Sequence, residues 1–270
     1  MSYAQAMKAL LICLLFPALA ASAGAWPPGR LCAVSLTYDD GLDSQILNAA
    51  FDLNQAGLKG TFFPTGSSPM VLANPAPWKA LAAQGHELGS HTMIHPCSKS
   101  MAFVKKGNAL EDYDDARMSK ELDDSIAFLQ GLGFRHPRSF AYPCGATQIG
   151  EGGKKHSYTP LVSARFRFVR GVGNLLADPA TVDLGNTPGW DGSSVNIQGW
   201  KAVIERAKSQ GAWLIIMFHG VGGDYLKADE SDHQELLKLL KKEQASVWTV
   251  PFGQAAAAVE AYQKSLKAGR

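Results

Sequence analysis

Charge is sparse in this sequence, and no stretch of it is strongly basic. Lys and Arg number 26 against 24 Asp and Glu, the charged share is 19%, and neither a Lys/Arg-rich run nor an aromatic-basic alternation occurs. A net charge of +2 gives no argument for nucleic acid or for an anionic membrane surface, which are bound through clustered cations. Linker-like Ser/Pro/Gly tracts are missing as well, so nothing divides the chain into two domains. Past the N-terminus no segment is apolar for long enough to cross a membrane, which takes about 20 residues. Cysteine is limited to four positions.

What is present begins at the N-terminus. Lys8 precedes an apolar run from Ala9 to Phe16, followed by the small-x-small sites Ala18-Leu19-Ala20 and Ala21-Ser22-Ala23. This pattern predicts a secretory signal peptide over 1–23, cleaved after Ala23 or Ala20. A membrane anchor is the competing reading, and the apolar core is short for it. The expectation is therefore an exported protein, periplasmic or extracellular, with residues 24–270 as one domain, monomeric and with no stable membrane insertion after signal removal. Cys13 departs with the signal. Cys32, Cys97 and Cys144 remain, an odd number that suggests one bridge and one spare thiol in an oxidising compartment.

Apolar share is 46%, ample for a core. Short β-rich runs alternate with helical stretches along the whole chain. Strands are expected at 31–38, 60–64, 86–91, 138–142, 166–172, 181–184, 212–218 and 247–251. Helices are expected at 43–55, 77–84, 117–132, 160–165, 199–210, 231–244 and 252–267, and a polar loop at 96–115. Such alternation implies parallel βαβ units. The fold class is α/β, one closed or nearly closed (β/α) barrel of seven or eight parallel strands; an open doubly wound sheet is the alternative. In both, functional side chains gather where strands end.

The strand ends carry acids and imidazoles. The first ends in Asp39-Asp40, the third in His91-Thr92-Met93-Ile94-His95, and the buried run at 212–218 in His219-Gly220. Adjacent carboxylates repel, and a cation relieves that repulsion. His91 and His95 are four apart and share a face if the segment turns helically. Two histidines and a carboxylate form a donor set for a divalent transition metal with positions left open. One aspartate would then be a ligand and its neighbour a base. Zinc suits the donor set best, with cobalt, nickel, manganese and iron also compatible.

The segments TYDDG, SHTMIH, FAYPCG and MFHG, in that order, resemble the motifs of the polysaccharide deacetylases, the NodB-homology carbohydrate esterases of family four. The resemblance spans about residues 31 to 255. It implies a distorted barrel and metal-dependent removal of acetyl groups from N-acetylated or O-acetylated polysaccharides or oligosaccharides. By position, it implies Asp39 as general base and Asp40, His91 and His95 as metal ligands, with Thr92 bracing the ligand loop. His219 matches the general acid, Cys144 the oxyanion-hole position through its backbone N–H, and Met217 the residue lining the acetyl methyl pocket. Tyr142 belongs to the same substrate pocket.

Two departures stand out. Where many members have an arginine that holds the base, this chain has Ala141; Arg170 is the candidate replacement, with Arg165 and Arg138 behind it. The partner of His219 is not placed, and Asp183, Asn186 and Asp191 all fall in the expected region. Cys97 and Cys144 lie in loops on the metal-bearing face while Cys32 starts its strand, so a Cys97–Cys144 disulfide is expected, the alternative being two packed thiols. Trp190 is a candidate floor for a sugar ring, against ordinary packing. His86 reads as structural, His136 and His156 as solvated and His233 as surface. Rival functions are a catalytically silent carbohydrate-binding homologue and a hydrolase of a non-sugar amide on the same barrel.

Overall fold

The computed structural model describes residues 24–269, and the expected signal peptide lies outside the described residues. Eight parallel strands carry the fold: β1 (Cys32–Asp40), β2 (Thr61–Pro64), β3 (Glu87–Leu88), β4 (Ser139–Ala141), β5 (Phe168–Val172), β6 (Thr187–Asp191), β7 (Trp213–Phe218) and β8 (Val247–Thr249). Seven run side by side in the order β3-β2-β1-β7-β6-β5-β4. The row closes on itself through Ser90 just beyond β3. Ser90 N–H donates to Ser139 O and Ser90 O accepts from Ala141 N–H, both at 2.9 Å. A side chain at Gly89 would collide with the Phe63 ring and sit 2.9 Å from the Ser139 carbonyl oxygen, so glycine is what lets β3 and β4 approach.

The distortion sits at β1. One edge pairs with β7 along most of its length. The other edge is shared: residues 32–34 pair with β8 and residues 37–40 with β2. The barrel is thus a parallel, nearly closed one with helices outside, as the alternation implied.

Period-two alternation along β1 separates two environments. Val34, Leu36 and Tyr38 join the large core under the outer helices, with Trp78, Trp200, Phe218 and Leu236. Ser35, Thr37 and Asp39 are also buried, on the opposite, interior face. Trp213 Nε1 donates to Ser35 Oγ at 3.0 Å, and Thr37 Oγ1 donates to Ile216 O at 3.0 Å. On this face β1 therefore contributes small, satisfied polar groups up to Asp39 at its carboxyl end, beside the interior apolar cluster of Phe63, Trp213, Ile215 and Phe252.

Three local expectations are corrected. Residues 181–184 form no strand, because Asp183 turns the chain: Gly185 N–H donates to its Oδ1 at 2.8 Å and Asn186 N–H to its carbonyl at 3.2 Å. The strand falls instead at Thr187–Asp191, whose Pro188-Gly189 reads as loop chemistry until tertiary pairing with β5 and β7 overrides it. His233 is buried, 1% exposed, with Nε2 2.9 Å from the Tyr38 hydroxyl. The helix expected at 43–55 is π-helical over Gln45–Ala50 before it continues as an α-helix, Phe51–Ala56, and Leu47 on the π-helical part is exposed.

Candidate active site

β1 delivers Asp39 into the barrel by alternation, and the same alternation would send Asp40 outward. A left-handed backbone at Asp40 (φ 78°), followed by Gly41 (φ 75°), breaks the strand there and turns its carboxylate to the same mouth. Five other non-glycine residues have positive φ among the described residues: Thr92, His95, Cys144, Asp224 and Leu226. All but Thr92 line one cleft, and Thr92 lies directly behind it between the two histidines. Strained backbone of this kind persists only where surrounding structure over-determines it, and it gathers at functional sites.

Asp40, His91 and His95 converge there. Asp40 Oδ1 lies 3.5 Å from His91 Nε2 and 3.5 Å from His95 Nε2, and their donor atoms all fall within 4.8 Å of one another. No helix brings the histidines together. The segment is a loop, turned by φ of 64° at Thr92 and 55° at His95, so the expected helical turn is replaced by two left-handed residues. Thr92 Oγ1 accepts the His95 N–H at 3.1 Å, and Glu121 Oε1 accepts the N–H groups of Met93 and Ile94 at 2.9 and 2.7 Å. Glu121, on helix Asp115–Gly131, is a loop anchor with no signal in the motifs.

The protonation pattern suits a cation. His91 Nδ1 is 2.8 Å from Ala141 O, and a carbonyl only accepts, so Nδ1 donates there and the ring is oriented with Nε2 toward Asp40. Burial, then the neighbouring His91, lowers His95 to about 4, which keeps its ring neutral at pH 7. Asp40 Oδ1 is buried with no hydrogen-bond partner. An orphaned carboxylate oxygen facing two imidazole nitrogens fits a divalent cation by donor chemistry.

Arg170 is fully buried on β5, and its Nη2 donates to Asp39 Oδ2. Burial opposes ionisation of Asp39, but the charges of Arg170, His91 and His219 and the Arg170 hydrogen bond outweigh it, leaving the carboxyl below its usual range. Arg165 instead pairs with Asp123, and Arg138 makes no contact here. Gly189 on β6 makes this possible, since a side chain there would collide with Arg170 Cδ. Asp39 Oδ1 stays unpaired and faces the cleft.

His219 closes the arrangement from β7, with Nε2 4.0 Å from Asp40 Oδ2. None of Asp183, Asn186 and Asp191 reaches it: its Nδ1 is buried without a partner, and Asp191 accepts from Ser193 N–H at 3.0 Å. Its backbone is tied instead, through Gln45 Nε2, which bridges Asp39 O and, at 3.0 Å, His219 O. Tyr225, which the sequence reading missed, donates its hydroxyl to Asp40 Oδ2 at 2.8 Å. The only hint of it was the Gly222-Gly223 pair just past His219, a sign of a tight functional loop.

Cys97 and Cys144 form a disulfide joining the ligand loop to the turn after β4, and Cys97 Sγ is 3.5 Å from His95 Nδ1. Cys32 is free and buried. Cys144, Tyr142 and Met217 line the cleft. Trp190 does not. On β6 it alternates with Gly189 and Asp191, so it faces outward, packs against the helix-side core and has Arg206 over its ring at 5.7 Å. His86 is structural, accepting Gly60 N–H at 3.1 Å and meeting Asn54 Oδ1 at 3.1 Å.

Fold and geometry together define a class: a parallel barrel that presents an aspartate–dihistidine set beside an arginine-held carboxylate at the carboxyl ends of its strands. Comparison with known proteins shows what the chain is similar to. The polysaccharide deacetylase family model matches residues 30–151, just under half of the chain. It is 32% identical over 121 residues to a gellan lyase from a Bacillus species, covering 45% of this chain and 4% of that one. It is 41% identical over 64 residues to the peptidoglycan-N-acetylglucosamine deacetylase PgdA of Listeria monocytogenes, covering 23% of this chain and 13% of PgdA. The chain thus spans a small fraction of the length of either relative. A Mycobacterium smegmatis protein solved as a candidate polysaccharide deacetylase superposes with a TM-score of 0.63 at 19% identity, over 88% of this chain and 93% of that one, a likeness of fold.

Proposed function

We propose that this protein is an exported, metal-dependent deacetylase that hydrolyses acetyl groups on amino sugars, or their O-acetyl counterparts, in polysaccharides or oligosaccharides. The observation that carries the reading is the division of labour between adjacent aspartates: Asp40 offers an orphaned oxygen between two imidazoles, while Asp39 is held apart by Arg170. The names of its relatives support the substrate class, since PgdA is a peptidoglycan-N-acetylglucosamine deacetylase. Export rests on the sequence of residues 1–23, and among the described residues no helix is long and apolar enough to span a membrane.

Asp40, His91 and His95 would hold the cation, zinc by donor type. When bound, it supplies Lewis acidity toward water and the acetyl carbonyl. Asp39, ionised and unpaired at Oδ1, takes a proton from the attacking water. The turn at Cys144, which holds its backbone in the left-handed region, presents its N–H to the carbonyl oxygen as negative charge develops there. Tyr142 and Met217 exclude water around the acetyl group. The C–N bond then breaks with a proton from His219 to the leaving nitrogen, giving acetate and a free amine.

The silent-homologue reading loses its main support, because the missing arginine is replaced in space by Arg170. The test is acetate release from chitooligosaccharides, acetyl-xylan and peptidoglycan fragments by protein reconstituted with zinc or cobalt, with and without chelator. Chelator-sensitive release is expected from at least one. Absence of release from all three overturns the proposal.

A further inference from the structure

The cleft over Asp40 encloses 1070 Å³, far more than a cation and an acetyl group fill. Its wall is largely apolar. Twelve large apolar residues are exposed among the described residues, and six of them line this one cleft: Met70, Met101, Phe103, Val172, Tyr225 and Leu226. Single exposed apolar residues are ordinary, but their convergence on one concavity marks a binding surface. No tryptophan lines the cleft. Outside the catalytic cluster its charged residues are Lys105 and Asp224, and Asp224 is engaged by Ser44 N–H at 2.9 Å.

The apolar rim is continuous with the catalytic cluster. The Phe103 ring centroid is 6.1 Å from that of His95, and Leu226 follows Tyr225, which bonds Asp40. The barrel floor, by contrast, is closed: Met217 is buried and its Sδ accepts from Arg170 Nη1 at 2.8 Å. Apolar surface therefore lies at the mouth, where the part of a substrate beyond its acetyl group sits. Four of the six, Met70, Met101, Val172 and Leu226, are methionine or aliphatic and adapt to a flexible chain, while Phe103 and Tyr225 are the aromatic pair.

Resting on the deacetylase reading, we propose that the preferred substrate is amphiphilic: an acetamido sugar carrying an alkyl segment that lies along Met101, Phe103 and Leu226. The test compares the octyl and methyl β-glycosides of N-acetylglucosamine, below the micellar concentration, with chitotetraose and the methyl glycoside of N-octanoylglucosamine. Metal-reconstituted full chain is used throughout. The expected kcat/KM for the octyl glycoside is at least tenfold above that for the methyl glycoside, mostly through KM. In a Phe103→Ser/Leu226→Ser variant that ratio is expected to fall below three; both positions are more than half exposed, so the fold stays intact. An octyl:methyl ratio near one, an unchanged ratio in the double variant, or preference for chitotetraose or the octanoyl amide overturns the proposal. Calorimetric titration with both glycosides decides the matter without turnover. Octyl-selective binding lost in the double variant supports the apolar subsite even if no acetate appears, an outcome that would sink the deacetylase reading instead. Equal binding overturns the subsite.

Discussion

Asp39 and Asp40 are neighbours in sequence with opposite surroundings, and the difference yields separate expectations. Asp39→Asn removes the proton acceptor and leaves the donor set alone. Turnover should fall by about 10²–10⁴-fold, with metal affinity from chelator competition within threefold of wild type. Tyr225 holds Asp40 Oδ2 and leaves Oδ1 directed at the histidines. Groups that orient metal ligands in this way are typically worth about 10–100-fold in affinity. Tyr225→Phe keeps the ring and should weaken zinc binding by that factor with thermal stability unchanged; an unaltered dissociation constant would show that the bond is incidental. His86 lies away from the cluster, and burial, then Lys59, lowers it from 6.5 to about 4. The unfolded chain takes up this proton first as pH falls, so the stability tied to neutral His86 is full above pH 6.5 and is lost between 6.5 and 4. The loss amounts to about 1–3 kcal/mol. Urea midpoints of chelated wild type should drop across that window, and His86→Gln should flatten the slope.

Among the elements, the loops carry what the strands cannot. β1, β5 and β7 bring Asp39, Arg170 and His219 to one end through ordinary parallel register. The loop at 91–97 reaches the site through left-handed residues, the Glu121 clamp and the disulfide. Cys97 and Cys144 are 47 residues apart, and closing a loop of that size removes about 4 kcal/mol of chain entropy from the unfolded state in the simple loop model. Cys97→Ser/Cys144→Ser should cost about 2–4 kcal/mol in urea unfolding. Because Cys97 touches His95 and Cys144 lines the cleft, zinc affinity should fall as well. A variant with wild-type stability would show that the loops are held without the bridge.

In the molecule as a whole, the Asp40, His91 and His95 donor set brings β1 against the loop after β3, which is itself tied to β4 through Ser90 and the disulfide. A ligand that binds only the folded state at 100 times its dissociation constant adds about 2.7 kcal/mol. Zinc should therefore raise the melting temperature by several degrees, chelator should reverse it, and Asp40→Ala/His91→Ala should abolish it. A melting temperature indifferent to zinc would contradict the shared site. Much of this was legible beforehand. Alternation of strand and helix implied parallel βαβ units and favoured a barrel over an open sheet, and the acids and imidazoles marked the strand ends. These are properties of local periodicity, which residue order alone determines. Arg170 had to be chosen from three arginines, and Tyr225, Gln45 and Gly189 went unseen. So did the outward turn of Trp190, the burial of His233 and the shift of β6 past Asp183. Each depends on which segments meet across the barrel. Sequence order determined the elements and the chemistry at their ends; only the tertiary structure decided which side chains share a carboxylate, because that follows from register between distant strands and from backbone held left-handed by its neighbours.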